Sequence, residues 1–276
     1  VSGAVLHHPP LGPTVLVVSG AAFAAILVYL WGADRLRRRG DAWPLGRDLA
    51  WTAGAGSIAI TLLMPLPGGP FTAHAAQHLV LGMAAPLLLV LARPLTLAFR
   101  ALGPGRTRRA LLSSVHSRPI GWLAFAPLAA LADLGGLWVL YRTPLFAAVQ
   151  DRPLAHAAVQ AHVIGAGVWF AFALCQLDPV RRRWSPAWRG GTLLAAGAAH
   201  AVLAKSLATA PPPGTDFTGA DLLSGAQLMY YGGDLAEAAL AAVIALQWYQ
   251  ATGRARARRH RHAALAREPS PARAAP

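Results

Sequence analysis

The chain alternates between long apolar runs and short segments rich in proline, glycine and arginine. Seven such runs recur, at about residues 14–33, 48–66, 73–93, 119–141, 154–177, 190–209 and 225–249. Each is close to 20 residues. At 1.5 Å per residue that length crosses ~30 Å of hydrocarbon. The pattern predicts an all-α integral membrane protein, a seven-transmembrane helix bundle over residues 1–253. A basic tail, 254–276, follows, for which disorder and contact with anionic lipid are expected. The first run is too long for a signal h-region and lacks a basic n-region, so it reads as helix one rather than a cleaved signal.

Breakers mark the turns. MPLPGGP (64–70) holds three prolines and two glycines and makes a tight turn, so the third helix begins near Phe71. Pro86 falls inside that helix and is expected to kink it. Pro94 and GPGR (103–106) mark the next loop, and the fourth helix is expected to run unbroken from Pro119 to Pro144. Pro153 starts the fifth, PPPG (211–214) ends the sixth, and the seventh starts near Asp221. AHAAQHLVLG (73–82) and AHAAVQAHVIG (155–165) echo each other, as an old duplication or as alanine-rich coincidence.

Composition agrees: 55% of the 276 residues are hydrophobic and mean hydropathy is +0.42, too apolar for an ordinary soluble domain. The net charge of +14 would fit nucleic acid, but its distribution excludes that partner. Of 25 Lys and Arg, 22 fall in four places, 34–47, 93–118, 178–189 and the tail. These are alternate loops. The intervening ones hold only Arg142 and Arg152, and Lys205 lies within a helix. Basic loops stay cytoplasmic, so the N-terminus is expected outside and the C-terminus inside. Twenty-four arginines against one lysine, with much alanine and glycine, point to a GC-rich bacterial genome and hence a bacterial plasma membrane.

Ionisable residues inside spans are costly and usually face the bundle interior. Here they are His74 and His78 on helix three, Asp133 on helix four, and His156 and His162 on helix five. His200 and Lys205 follow on helix six, and Asp234 and Glu237 on helix seven. Depth counted from the turns puts all of them in the outer half or near the midplane, in one polar layer opening outward. His74 and His78, at i,i+4, share a face and suit one metal ion, or else contacts to neighbouring helices. His156 and His162 are six apart, about 120° around a helix, and cannot share one ligand unless the first turn is distorted. Tyr230, Asp234 and Glu237 form one stripe, with Lys205 and His200 as available cations, for a locking ion pair or a proton site. Met64 and Met229 fall level with His74, and thioether with imidazole suits Cu(I), although methionine also packs. Cys175, the only cysteine, excludes an intramolecular disulfide and reads as packing. His7 and His8 read as an exposed terminus. No CxxC, CxxCH, Walker or GxSxG motif is present, so soluble-enzyme chemistry has no visible home.

FTAHAAQHLVLGMAAPLLLVLARPLTLAFRAL (71–102) carries H-x-x-Q-H, an apolar helix with a proline, a small-Pro-Leu step and R-A-L. It resembles the hallmark segment of the CtaG-like family of caa3-type cytochrome c oxidase assembly factors. Segments 156–183, 200–207 and 221–249 resemble that family's later helices in order, so the likeness covers about residues 45–250. One departure is YRTP (141–144), with Arg142 where many members carry a histidine. The resemblance implies a non-enzymatic membrane protein that assembles haem–copper oxidase, with copper delivery as its role. Oxidase subunits, and an extracytoplasmic copper donor, would be its partners. It carries over His74, His78, His156, His162 and His200, and less directly Asp234 and Glu237. The other readings are a b-type haem electron carrier, a proton or cation transporter using the acidic stripe, and a scaffold for oxidase subunits.

Overall fold

The computed structural model describes residues 13–265 apart from 116 and 218. His7, His8 and residues 266–276 lie outside the described residues. Every described element is helical. In order they are α1 (Pro13–Arg38), α2 (Leu45–Leu63), α3 (Pro70–His78), a π-helical turn (Leu79–Ala84), α4 (Ala85–Leu91), α5 (Pro94–Ala101) and α6 (Arg106–Val115). Then come α7 (Arg118–Leu123), α8 (Ala126–Arg142), α9 (Leu145–Gln150), α10 (Pro153–Cys175), α11 (Pro186–Leu207) and α12 (Gly219–Leu265).

All seven apolar runs are mostly helical. Four helical stretches among the described residues are long and apolar enough to cross a membrane: Val15–Arg38, Pro70–Ala101, Pro153–Cys175 and Gly219–Arg259. Of the other three, α8 has only 17 residues. Helix α2 opens on Arg47 and Asp48, and α11 carries Arg189, Lys205 and three glycines, which dilute their apolar character.

Proline shapes two of the spans. In the third, Pro86 has no N–H to give the carbonyl four residues back, which belongs to Gly82. The chain answers with the π turn just before it, where the Ala85 N–H donates to Val80 O. The expected kink is therefore a π bulge. The fourth span is not the unbroken helix expected from Pro119 to Pro144: α7 stops at Leu123, Phe125 is extended (φ −83°, ψ 102°), and α8 restarts at Ala126. Pro127 is the cause, because it cannot donate to Leu123 O. That carbonyl instead accepts the Trp169 indole N–H at 2.7 Å, and Ala124 O accepts from Gln176 Nε2 at 3.0 Å. Helix α12 also continues through Leu265, over the first part of the tail. Arginine is a good helix former, and positive charge near a helix C-terminus meets the dipole favourably.

Helix α12 packs against α11 and α3, α10 against α8, α4 and the π turn, and α1 with α2 against the α4–α5 region. One apolar core, around Phe170, Leu174, Leu193 and Ile244, fills the middle. A second, around Phe71, Tyr141, Phe146, Leu203, Leu207 and Met229, fills the end that carries His74. The basic turns gather at the opposite end. There Arg37 pairs with Asp48, Arg100 with Asp41, and Arg189 donates to Leu174 O and to Gln247 Oε1.

Two distant aspartates tie the ends together. Asp221, at the start of α12, accepts from the Phe71 and Thr72 N–H groups and from Thr72 Oγ1, and so caps α3. Asp178 does the same for α5 through Leu95 N–H, Thr96 N–H and Thr96 Oγ1. Both capped helices open on Pro-x-Thr, 70–72 and 94–96, and neither has a side-chain cap of its own.

Candidate functional site

Pro70 starts α3, so His74 comes one turn in and His78 closes the helix at the edge of the π turn. The His74 ring meets Phe146 and Tyr141 edge-on, with ring centres 4.7 and 5.8 Å away. Pro153 starts α10 and puts His156 in its first turn, where its N–H donates to Arg152 O at 2.9 Å. That turn is regular rather than distorted. His74, His78 and His156 line one cavity with Gln77, Tyr141 and Gln160. A wider vestibule beside it is lined by His74, Gln77, His156 and Met64. Gln160 Nε2 lies 3.3 Å from His156 Nε2.

Deeper in, His78 turns toward a different partner. Its ring centre is 6.1 Å from that of His200 on α11, with the planes tilted by 30°. His200 is 97% buried, and its Nδ1 lies 3.6 Å from Glu237 Oε1 on α12. The Nε2 atoms of His78 and His200 and the Tyr141 hydroxyl are buried without a hydrogen-bond partner. Such atoms are costly to bury unless something completes them.

His162 stands apart. It faces Gly136 on α8, and it lines a side pocket together with Asp133 and His78. The expected single layer thus resolves into a mouth with His74 and His156, an inner pair with His78 and His200, and the His162 pocket. Among the described residues no three His, Cys, Asp or Glu side chains are gathered as a ready-made metal site. The acidic stripe also divides. Glu237 points at His200, Lys205 lies over the Tyr230 ring at 4.9 Å, and Asp234 and Lys205 are exposed. Met64 lines the vestibule, whereas Met229 is buried among Phe71, Leu203 and Leu207 and serves as packing. Arg142 donates to Ser206 Oγ on α11. Cys175 is buried in the central core.

Glycines make room for these polar groups. A Cβ at Gly233 would overlap the His200 ring, one at Gly136 the His162 ring, and one at Gly197 the Glu237 carboxylate. One at Gly82 would press on the His78 ring and Val163. These seats leave no trace in a hydropathy pattern. Gln77 and Gln160 were legible, since each stands within a turn of a histidine: Gln77 inside H-x-x-Q-H, Gln160 at i+4 from His156.

The family model described as cytochrome c oxidase caa3 assembly factor (Caa3_CtaG) matches residues 27–251. The chain belongs to that family. The Caa3_CtaG match takes in the mouth, the inner pair and both capping aspartates. The chain is 33% identical over 223 residues to uncharacterised proteins of Mycobacterium bovis and Mycobacterium tuberculosis, covering 75% of this chain and 34% of theirs. An uncharacterised protein of Mycobacterium leprae is 31% identical over 202 residues, 70% of this chain and 31% of its own length. The chain therefore spans about a third of the length of these relatives. No solved structure matches it.

Proposed function

We propose that this Caa3_CtaG protein takes up copper at the outer face of a bacterial plasma membrane and passes it on during assembly of haem–copper cytochrome c oxidase. In this reading all seven runs span, the N-terminus is outside, and the basic turns and C-terminus are cytoplasmic. The alternation of arginine-rich and arginine-poor loops supports that orientation. The observation that carries the copper reading is that His74, His78 and His156 converge on one cavity beside a vestibule walled by Met64. Imidazole and thioether suit copper, and a site short of a closed ligand set suits an ion that must leave again. Copper is cargo here, and the protein acts by transfer rather than by catalysis. Its partners are oxidase subunits and an extracytoplasmic copper donor.

The test is oxidase assembly in cells whose sole copy of the protein is the His74→Ala/His78→Ala double variant. The expected result is membrane oxidase with its haem but with copper content and activity reduced at least several-fold. Oxidase with normal copper content in that strain would end the copper reading. A single-site companion separates the two methionines: Met64→Leu slows copper loading, while Met229→Leu, a nearly volume-conserving change in the core, leaves it unchanged.

A further inference from the structure

The inner histidine pair is a sharply defined polar feature whose pairing no sequence motif gives. His78 and His200 come from α3 and α11, which are far apart in sequence. Both Nε2 atoms are buried and unpartnered. The ring centres lie 6.1 Å apart, within reach of one ion bridging the two imidazoles. An ion ~2 Å from one nitrogen of each ring, with that nitrogen about 1 Å from its ring centre, holds the centres ~6 Å apart when the two bonds are near collinear. A tetrahedral angle at the same bond lengths would draw the centres in to ~5 Å. The observed spacing admits the near-linear arrangement.

We propose that His78 and His200 form a two-coordinate site for a cuprous ion, each imidazole giving its Nε2. This rests on the copper reading above and names the state of the cargo and its inner resting place. Near-linear coordination by two nitrogens is characteristic of the closed-shell monovalent ion, whereas Zn²⁺ in the same donors takes four ligands. Charge agrees. Glu237, beside His200 Nδ1, supplies negative charge next to the pair, which favours a cation there in a low-dielectric interior. Glu237 is a positioning residue. Its carboxylate, 3.6 Å from Nδ1, favours the tautomer that carries the proton on Nδ1 and leaves Nε2 free for the ion. Gly233 on α12 and Gly197 on α11 are what let the His200 ring and the Glu237 carboxylate lie against backbone. His74 and His156, at the vestibule, then act as the entry ligands, and His78, which lines the cavity they share, is the step between the mouth and the pair.

The experiment uses the full-length protein in detergent, loaded with Cu⁺ under reducing conditions and examined by copper-edge X-ray absorption. The wild type is expected to bind one ion with two nitrogen neighbours. His200→Ala lowers affinity more than tenfold. Glu237→Gln lowers it ~10–100-fold while the coordination number stays at two. His162→Ala, outside the pair, leaves affinity unchanged. A wild-type spectrum with three or four ligands, or with sulfur among them, overturns the two-coordinate site while leaving the copper reading standing. So does His200→Ala with unchanged affinity. A haem band in the absorption spectrum of the purified protein overturns it too. Wild-type protein that binds no copper removes both proposals. The absorption spectrum is read on wild type, so it decides even where a variant fails to fold.

Discussion

Gly167→Ala is expected to destabilise the protein by ~1–3 kcal/mol, the usual cost of forcing an extra methyl into a packed core, and to sit at the upper end of that range. The reason lies on the facing helix. Pro86 leaves the Gly82 carbonyl without its helical donor, and that oxygen lies directly against the backbone of α10 at Gly167. A Cβ there would overlap Gly82 O and would come within 3.0 Å of Pro86 Cγ. Neither is the end of a flexible side chain. The π turn or α10 itself has to move, and His78, the residue just before that turn, moves with it. The check is thermal unfolding in detergent beside Gly165→Ala, two residues earlier on the same helix, where an added Cβ meets nothing within 4 Å. That control should be neutral or slightly stabilising, because alanine is the better helix former. Equal melting temperatures for the two variants would refute the packing argument.

The second large effect is expected at Asp221. Its carboxylate takes the Phe71 N–H at 2.8 Å, the Thr72 N–H at 3.0 Å and the Thr72 hydroxyl at 2.6 Å. Asp221→Ala removes all three and leaves the first turn of α3 uncapped, at a cost of ~2 kcal/mol. The loss is local as well as global. Phe71 packs on Tyr141 and Phe217, and His74 lies one turn further in, so the mouth loosens with the cap. Hydrogen exchange at the Phe71 and Thr72 amides should accelerate more than the change in melting temperature alone requires. Asp221→Asn should recover part of the stability, since its one remaining carbonyl oxygen can still accept. Protection of those amides that survives in Asp221→Ala would show that the cap is not what orders the turn.

Both predictions concern features that hydropathy cannot reveal. The apolar runs announced their helices because a span must satisfy its backbone internally and bury nothing polar on the lipid side. The proline at 86 announced a disturbance, but not that it would be a π bulge seated on a glycine of another helix. Pro127 is equally visible in the sequence, but the break it causes is not. An apolar run reads as continuous whether or not its backbone ladder is, and the repair comes from Trp169 and Gln176, about 50 residues away. Asp178 and Asp221 were visible as loop and helix-start residues. Their targets were not, because a cap supplied from another segment has no fixed spacing.

By itself the sequence determined the all-helical character, the turn positions, the family and the i,i+4 placement of His74 and His78 on one face. The family follows from the motifs of residues 71–102, and the rest from local geometry, since a 3.6-residue repeat and a proline's missing donor act wherever the chain goes next. Only the tertiary structure decided which histidines meet. His78 faces His200, His74 shares its cavity with His156, and His162 is turned toward Gly136. Those choices depend on how closely α3, α8, α10, α11 and α12 approach one another. That approach is set by glycines at 82, 136, 197 and 233, whose contribution is the absence of a side chain.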